Sequence, residues 1–231
     1  MTVQAILFDF NGVIIDDEPL QLKAYQQVLK QHDIDLTADQ YYALMGTDDK
    51  AFLRATFARV NRELTDEVMN QAITEKFDLH LAMIDEELPL FPGVETFIKS
   101  AARRYNLAVV SMARRPEIDY VLERSHLKAS FEVVVSAEQV SNHKPDPEAF
   151  QSGFDQLNEF RRSKRQLPLL PDECLVIEDA AQGIQAARTV GMHTLGITNT
   201  ISEEALRAAG AEVVTASLAD WTVEAVELVF A

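Results

Sequence analysis

Short apolar runs alternate with helix-like segments over most of this chain. Such runs occupy residues 5–8, 107–110, 131–135 and 174–177, and the stretches between them carry apolar side chains at helical spacing. Apolar runs of this length are typical of strands that are buried on both faces, as in parallel sheets. Strands that alternate with helices therefore predict an α/β fold whose core is a Rossmann-like, doubly wound parallel sheet.

Residues 16–90 differ, because they show helical spacing without any strand-like run. Four helices are predicted there, over residues 19–30, 37–45, 49–64 and 65–81. The breaker cluster Pro-Leu-Phe-Pro-Gly at residues 89–93 marks the return to the alternating pattern. We predict a core domain made of residues 1–15 and 91–231, with an inserted all-helical domain at residues 16–90.

Polar residues follow the ends of the predicted strands. Asp9, Ser111 and the pair Glu178-Asp179 each come directly after an apolar run, and Lys144 lies a few residues beyond another. The carboxyl ends of parallel strands meet at one edge of the sheet, where ligands bind in open α/β folds. We expect these side chains to converge there and to form the functional site.

Acidic residues are concentrated after the first strand. Asp9, Asp16, Asp17 and Glu18 fall within ten residues, and so many carboxylates are hard to bury without a counter-ion. A hard divalent cation such as Mg²⁺ prefers oxygen ligands of this kind. The sequence therefore predicts a metal site near the end of the first strand.

Four segments resemble the motifs of the haloacid dehalogenase superfamily of phosphohydrolases. Residues 9–18, Asp-Phe-Asn-Gly-Val-Ile-Ile-Asp-Asp-Glu, are similar to its first motif, Asp-x-Asp-Gly-Val/Thr-Leu/Ile-x-Asp-Ser-Glu. Ser111, the run Lys-Pro-Asp-Pro at 144–147 and the run Glu-Asp-Ala-Ala-Gln-Gly at 178–183 match the second, third and fourth motifs. Four motifs in this order are specific, and the likeness covers essentially the whole chain. The helical insert resembles the C1 cap domain of the β-phosphoglucomutase-like and phosphoglycolate-phosphatase-like branch.

The resemblance implies a Mg²⁺-dependent phosphatase that cleaves a small phosphate monoester, such as a phosphosugar or a related metabolite. Asp9 would be the nucleophile and form an aspartyl-phosphate, while Ser111 and Lys144 would stabilise the transferring phosphoryl group. The implied metal ligands are Asp9, the backbone carbonyl of Asn11, Glu178 and Asp179. The implied substrate-contacting residues are Gly12, Gly46, Thr47, Lys50, Met112, Ala113 and Arg114.

Asn11 departs from the family pattern, which has an aspartate there as general acid and base. An amide cannot exchange a proton at neutral pH, and loss of a general acid–base typically slows a reaction by about 10²–10⁴-fold. The sequence leaves several readings open: another acid such as Asp16 or Asp17 takes over, or the substrates have good leaving groups. Alternatively, the protein binds a phosphate ligand with little turnover, or the asparagine is an introduced substitution that traps the enzyme.

A phosphomutase of the β-phosphoglucomutase type is the second enzymatic interpretation. The mutase-like members carry an arginine near the position of Asp49 that grips a second phosphate, and its absence here disfavours this interpretation. Lys50 and Arg54 lie one helical turn apart and could replace that arginine, but paired surface charges on one helix are the simpler explanation for them.

The overall charge limits the partners. A formal net charge of −16 disfavours nucleic acid and anionic membrane surfaces as partners.

The chain has one cysteine and lacks an apolar run long enough to span a bilayer, so we expect a cytoplasmic protein, monomeric or weakly dimeric. The basic run at residues 161–165 is interpreted as a solvated loop or a helix end, where cations suit the helix dipole.

Overall fold

The computed structural model describes residues 2–44 and 47–230. The chain divides into two compact units. The core unit contains the residues up to Asp16 and those from Leu88 onward, and the helical unit contains Asp17–Glu87. Gly46, one of the residues predicted to contact substrate, lies outside the described residues.

A six-stranded sheet forms the centre of the core unit. All neighbouring strands run parallel, in the order β3-β2-β1-β4-β5-β6. This confirms the predicted α/β class with its parallel sheet. The strands are β1 (Ala5–Phe8), β2 (Asn106–Val110), β3 (Val133–Val135), β4 (Cys174–Glu178), β5 (His193–Ile197) and β6 (Val213–Thr215).

Helices cover both faces of the sheet, which explains why the strands are apolar throughout. On one face, Leu7 packs in a cluster that includes Phe150 and Ala187 from two helices. On the other face, Phe8 contacts Phe97 and Phe131 edge to face, with ring centroids 6.2 and 5.8 Å apart. Successive strand residues point to opposite faces, so both must be apolar. The helices of this unit are α5 (Val94–Ala101), α6 (Arg115–Arg124), α7 (Glu148–Ser163), α8 (Ala181–Val190), α9 (Glu203–Ala209) and α10 (Val223–Val229).

The helical unit has its own apolar core. Tyr25, Leu29, Phe52 and Phe57 belong to a buried cluster drawn from all the helices of the unit. Those helices are α1 (Glu18–Lys30), α2 (Ala38–Tyr42), α3 (Asp49–Arg59) and α4 (Asp66–Glu86). The side-chain oxygens of Thr37, Asp48 and Thr65 each accept from a backbone N–H group in the following turn. These bonds set the starts of α2, α3 and α4. Within the described residues, no helix is long and apolar enough to cross a membrane.

Several predicted helices differ in extent from the observed ones: α3 ends at Arg59 instead of residue 64, and α4 ends at Glu86 instead of residue 81. The apolar spacing over residues 218–230 predicts one helix, but the structure has a short 3₁₀ turn at Leu218–Asp220 and then α10. The Thr222 hydroxyl accepts from the backbone N–H of Ala225 at 3.2 Å and starts α10 separately. The sequence also predicts a helix over residues 147–159. The observed helix α7 extends to Ser163, so the basic run begins inside its last turn. The helix-end interpretation of that run is confirmed.

Candidate active site

Lys144 connects the ends of three strands. Its ammonium group donates to Asp9 Oδ1 at 2.8 Å, to Glu178 Oε1 at 2.7 Å and to the carbonyl oxygen of Val110 at 3.2 Å. The nitrogen also lies 4.7 Å from the ring centroid of Phe150. Since three oxygens accept from the three ammonium protons, the position of Lys144 is fixed, and it brings Asp9 and Glu178 together.

Glu178 is held in place by the turn into α8. Its Oε2 accepts from the backbone N–H groups of Asp179 and Ala180, each at 3.0 Å. Gly183 makes room for it, because a Cβ at that position would lie 1.7 Å from Glu178 Oε1. The predicted motif at 178–183 therefore combines an acid with the glycine that its carboxylate requires.

Asp179 packs against the turn that follows Asp9. Gly12 in that turn has φ of +78°, and a Cβ there would lie 1.9 Å from Asp179 Oδ2. The Thr200 hydroxyl donates to the same Oδ2, and the Asn199 side chain donates to the carbonyl oxygen of Gly12 at 2.7 Å. Sequence analysis missed Asn199 and Thr200, although they too follow a strand, β5, at the carboxyl edge.

The site has an excess of buried negative charge. The pKa of Asp9 is raised to about 7, because burial and the charge of Glu178 together outweigh the opposing effect of Lys144. Burial also raises the pKa of Asp179, and the charges of Glu178 and Asp9 add to the effect. Burial lowers the pKa of Lys144, but the two carboxylates together outweigh it, so the net shift is upward. Three carboxylates thus face one cation.

These residues fit a divalent metal ion. Ligand oxygens of Asp9, Glu178 and Asp179 all lie within 4.8 Å of one another. Carboxylate oxygens are the ligands that Mg²⁺ prefers, and a divalent charge would favour the ionised forms of Asp9 and Asp179, which burial and the neighbouring carboxylates disfavour. The donor set and the electrostatics of the site both agree with the predicted cofactor.

The remaining predicted residues of the core unit lie in the turns beside this cluster. Asn11 is half-buried and its backbone forms a bridge with Ile15. Ser111 is buried, and its hydroxyl oxygen accepts from the backbone N–H of Ala113 at 3.0 Å, which orders the turn through Met112. Arg114 is half-buried immediately before α6.

Thr47 and Lys50, the predicted residues of the helical unit that the structure describes, are exposed. Thr47 donates its hydroxyl to the carbonyl oxygen of Leu44 at 2.7 Å, and Lys50 lies in the first turn of α3. Sequence analysis missed a buried polar network in the same unit. Within it, Asp49 Oδ1 accepts from the Tyr25 hydroxyl at 2.5 Å and lies 3.4 Å from Lys76 Nζ.

The two alternative acids have different surroundings. Asp16 is exposed, whereas Asp17 is fully buried. One oxygen of Asp17 accepts from Gln21 Nε2 at 3.1 Å and lies 3.0 Å from His80 Nε2. The carboxylate of Asp17 is therefore held by neighbours from the helical unit.

Comparison with known proteins places this site in a family. A family model described as haloacid dehalogenase-like hydrolase matches residues 6–197. A phosphorylated carbohydrates phosphatase from Thermotoga maritima is 28% identical over 211 residues, which cover 90% of this chain and 92% of the relative. The fructose-1-phosphate phosphatase YqaB of Escherichia coli is 29% identical over 192 residues, covering 83% and 95%. The crystal structure of a β-phosphoglucomutase from Clostridium difficile shares the fold, with a TM-score of 0.82 at 23% identity over 99% of this chain and 97% of that one.

Proposed function

The chain belongs to the haloacid dehalogenase-like hydrolases, and on that basis we propose that it is a phosphatase. Its substrate is a small phosphate monoester, a phosphosugar or a related metabolite, and its cofactor is Mg²⁺. The observation that carries the proposal is the buried ammonium of Lys144, bonded to both Asp9 and Glu178 at the carboxyl edge of the sheet.

In this proposal Asp9 is the nucleophile. A carboxylate oxygen of Asp9 attacks the phosphorus, the ester P–O bond breaks, and the departing alcohol oxygen takes a proton from solvent water. Water then attacks the acyl phosphate and releases inorganic phosphate and free Asp9. Lys144 holds the Asp9 carboxylate in place, and the Ser111 hydroxyl is available to donate to a phosphoryl oxygen.

Metal binding is assigned to Asp9, Glu178 and Asp179, with the backbone carbonyl of Asn11 as a further oxygen ligand. Bound Mg²⁺ supplies the positive charge that offsets the repulsion between the phosphate ester and the nucleophilic carboxylate. The raised pKa values of Asp9 and Asp179 support this assignment, because burial and the neighbouring carboxylates both disfavour their charged forms and a bound cation would favour them.

Asn11 limits which esters are cleaved quickly. It cannot protonate the departing oxygen, so an alkyl leaving group must depart without that help, whereas an aryl leaving group needs little protonation. Among the alternative acids, Asp17 is engaged by Gln21 and His80. Asp16 is exposed and is the remaining alternative acid. We infer that, without a proton from it, this chain hydrolyses aryl phosphates measurably and its proposed phosphosugar substrate more slowly.

The names of the relatives support a sugar-type substrate. Two of the phosphatases that cover most of this chain are named for phosphorylated carbohydrates and for fructose 1-phosphate. Their identities of 28% and 29% leave the particular sugar open. Fructose 1-phosphate is accordingly a suitable alkyl ester for a first assay.

The test compares the protein with its Asn11→Asp variant in the presence of Mg²⁺, on p-nitrophenyl phosphate and on fructose 1-phosphate. We expect Asn11→Asp to accelerate the alkyl ester by about 10²–10⁴-fold and the aryl ester far less. Asp9→Asn should abolish both activities. Asn70→Asp makes the same chemical change at an exposed position in α4 and should change neither rate.

The same assays distinguish three other interpretations: a different proton donor, a phosphate-binding protein and a phosphomutase. If the unmodified protein already cleaves the alkyl ester well and Asn11→Asp adds nothing, another residue carries the proton. If neither protein cleaves either ester, a phosphate-binding protein with little turnover is the better interpretation. Activity that appears only with a bisphosphate activator and a sugar phosphate acceptor would indicate a phosphomutase.

A further inference from the structure

Two adjacent residues beyond β5 hold two different parts of the site. Asn199 and Thr200 lie in the turn just after β5, which ends at Ile197. The Asn199 side chain donates to the turn after β1, and the Thr200 hydroxyl donates to Asp179, the acid after β4. In the sheet, β5 lies next to β4, and β4 lies next to β1, so this turn can reach both.

Thr200 fixes the carboxylate of Asp179. Its hydroxyl donates to Oδ2, which restricts rotation of the carboxylate about its Cβ–Cγ bond. Asp179 is buried, and its Oδ2 also occupies the space where Gly12 lacks a side chain. The position of this oxygen is therefore determined from two directions, by a hydrogen bond and by packing.

Asn199 fixes the other side of the same contact. Its side-chain amide donates to the carbonyl oxygen of Gly12 at 2.7 Å, and the N–H of Gly12 donates to the carbonyl oxygen of Ile15 at 2.9 Å. Both backbone groups of Gly12 are thus engaged. Gly12 and Asp179 contact each other. Asn199 holds Gly12, and Thr200 holds Asp179.

We propose that Asn199 and Thr200 are a positioning pair that sets the affinity of the site for a divalent cation. By holding the Asp9 turn and Asp179 together, the pair keeps ligand oxygens from β1 and β4 at the spacing that one ion requires. This inference rests on the proposed function, because the ion is the cofactor named there. Neither residue is assigned to contact the ion or the substrate.

Loss of such supporting hydrogen bonds typically weakens metal binding by about 10–100-fold. Removing the Thr200 hydroxyl frees the orientation of Asp179 and should have the larger effect. Removing the Asn199 amide loosens a backbone turn that Ile15 still holds, so its effect should be smaller. Because both residues act on one contact, their effects should not add, and the double variant should lose less affinity than the sum of the single losses.

The experiment measures binding of Mn²⁺ to the whole protein by titration calorimetry and by the decrease of the free Mn²⁺ resonance signal. The variants are Thr200→Val, Thr200→Ser, Asn199→Ala and the double Asn199→Ala/Thr200→Val. We expect Thr200→Val to weaken binding by about 10–100-fold, and Thr200→Ser, which keeps the hydroxyl, to stay close to the unmodified protein.

Thr198→Val is the matched control. Thr198 lies two residues earlier in the same turn, and its backbone N–H donates to the carbonyl oxygen of Thr215 at 3.1 Å, a bond that valine retains. This control should bind Mn²⁺ like the unmodified protein. Melting curves recorded in a chelator identify any variant that fails to fold, and Thr200→Ser and Asn199→Ala then carry the comparison.

Two results would overturn the inference. One is Thr200→Val binding Mn²⁺ as tightly as the Thr198→Val control, or more tightly, as it would if the hydroxyl competed with the ion for Asp179. The other is an unmodified protein that takes up no Mn²⁺ at all. The failure of the proposed function is a separate result: phosphate esters are not cleaved, although Mn²⁺ binds and the Thr200 variants weaken that binding.

Discussion

Asp9 should make the metal-free protein less stable as the pH rises from 5 to 8. Burial raises its pKa to about 7 from an ordinary value of 3.8. Between these two values the folded protein binds a proton at Asp9 that the unfolded chain has released. When the folded state binds more protons than the unfolded state, the free energy of unfolding falls as the pH rises.

The size of the effect follows from the same pKa. Over the two pH units from 5 to 7, a loss of about 1.4 kcal/mol per unit amounts to about 3 kcal/mol from Asp9 alone. For a protein of this length that is roughly 6–12 °C in melting temperature. The raised pKa of Asp179 acts in the same direction. Lys144 contributes no slope, because its pKa is raised and it keeps its proton throughout this range.

The assay is thermal unfolding in a chelator at pH 5, 6, 7 and 8, with Asp9→Asn as the reference. The variant removes this ionisation together with its contribution to the raised pKa of Asp179, so the difference between the two proteins reports Asp9 and its coupling to that neighbour. We expect the advantage of Asp9→Asn to grow by about 3 kcal/mol between pH 5 and pH 8. Saturating Mg²⁺ should stabilise the unmodified protein much more at pH 8 than at pH 5, because at low pH the ion must displace a proton.

Two observations would refute this reasoning. The first is a difference between the unmodified protein and Asp9→Asn that stays constant with pH, which would mean that Asp9 is ionised in the folded metal-free protein throughout. The second is an equal stabilisation by Mg²⁺ at pH 5 and at pH 8, which would place the ion away from the titrating carboxylates.

Three further substitutions test the same structure. Lys144→Met leaves buried carboxylates without their cation. It should destabilise the protein by roughly 3–5 kcal/mol at pH 8 in urea unfolding and by less at pH 5. Equal destabilisation at the two pH values would contradict this. Gly183→Ala places a Cβ 1.7 Å from the Glu178 carboxylate and should weaken Mn²⁺ binding about tenfold or more in calorimetry, and unchanged binding would contradict it. Tyr41→Phe removes the 2.6 Å hydrogen bond to Glu18 and should cost roughly 1–3 kcal/mol at pH 8. Because burial raises the pKa of Glu18, Tyr41→Phe should cost less stability at pH 5 than at pH 8. A cost that grows toward pH 5 would contradict this prediction.

Local patterns in the sequence were sufficient to predict the fold class. Every residue of β1 is buried, and such a strand can exist only between two covered faces, so its uniform apolar run was informative. The polar residues at strand ends were informative for the same reason, since a parallel sheet directs them to one edge. The break at residue 221 was not predicted, because apolar spacing continues through it and the Thr222 cap that starts α10 involves only three residues.

Helix α4 shows where the sequence held a signal that the prediction did not use. Its buried face is formed by Met69, Ala72, Lys76, His80 and Ile84, which follow one another at steps of three or four residues. A lysine and a histidine on an otherwise apolar stripe must find polar partners when the helix packs. His80 is fully buried against Asp17. The partners are Asp49 in α3 and Asp17 just before α1, so the helical spacing of α4 could indicate that partners are needed without identifying them.

The contribution of Asn199 and Thr200 depends on strand order, which local patterns do not specify. Alternation of strands and helices predicts that all strands are parallel, but many orders satisfy that rule, and only some place β5 beside β4. Once that neighbour is known, the turn after β5 must adjoin the turn after β4, and polar side chains in it acquire partners in the site. The motifs of this chain identify the residues that meet the reacting groups, whereas the residues that hold those motifs together become visible only when the order of the strands is known. We therefore expect substitutions at Asn199 and Thr200 to act on the site even though no motif includes them.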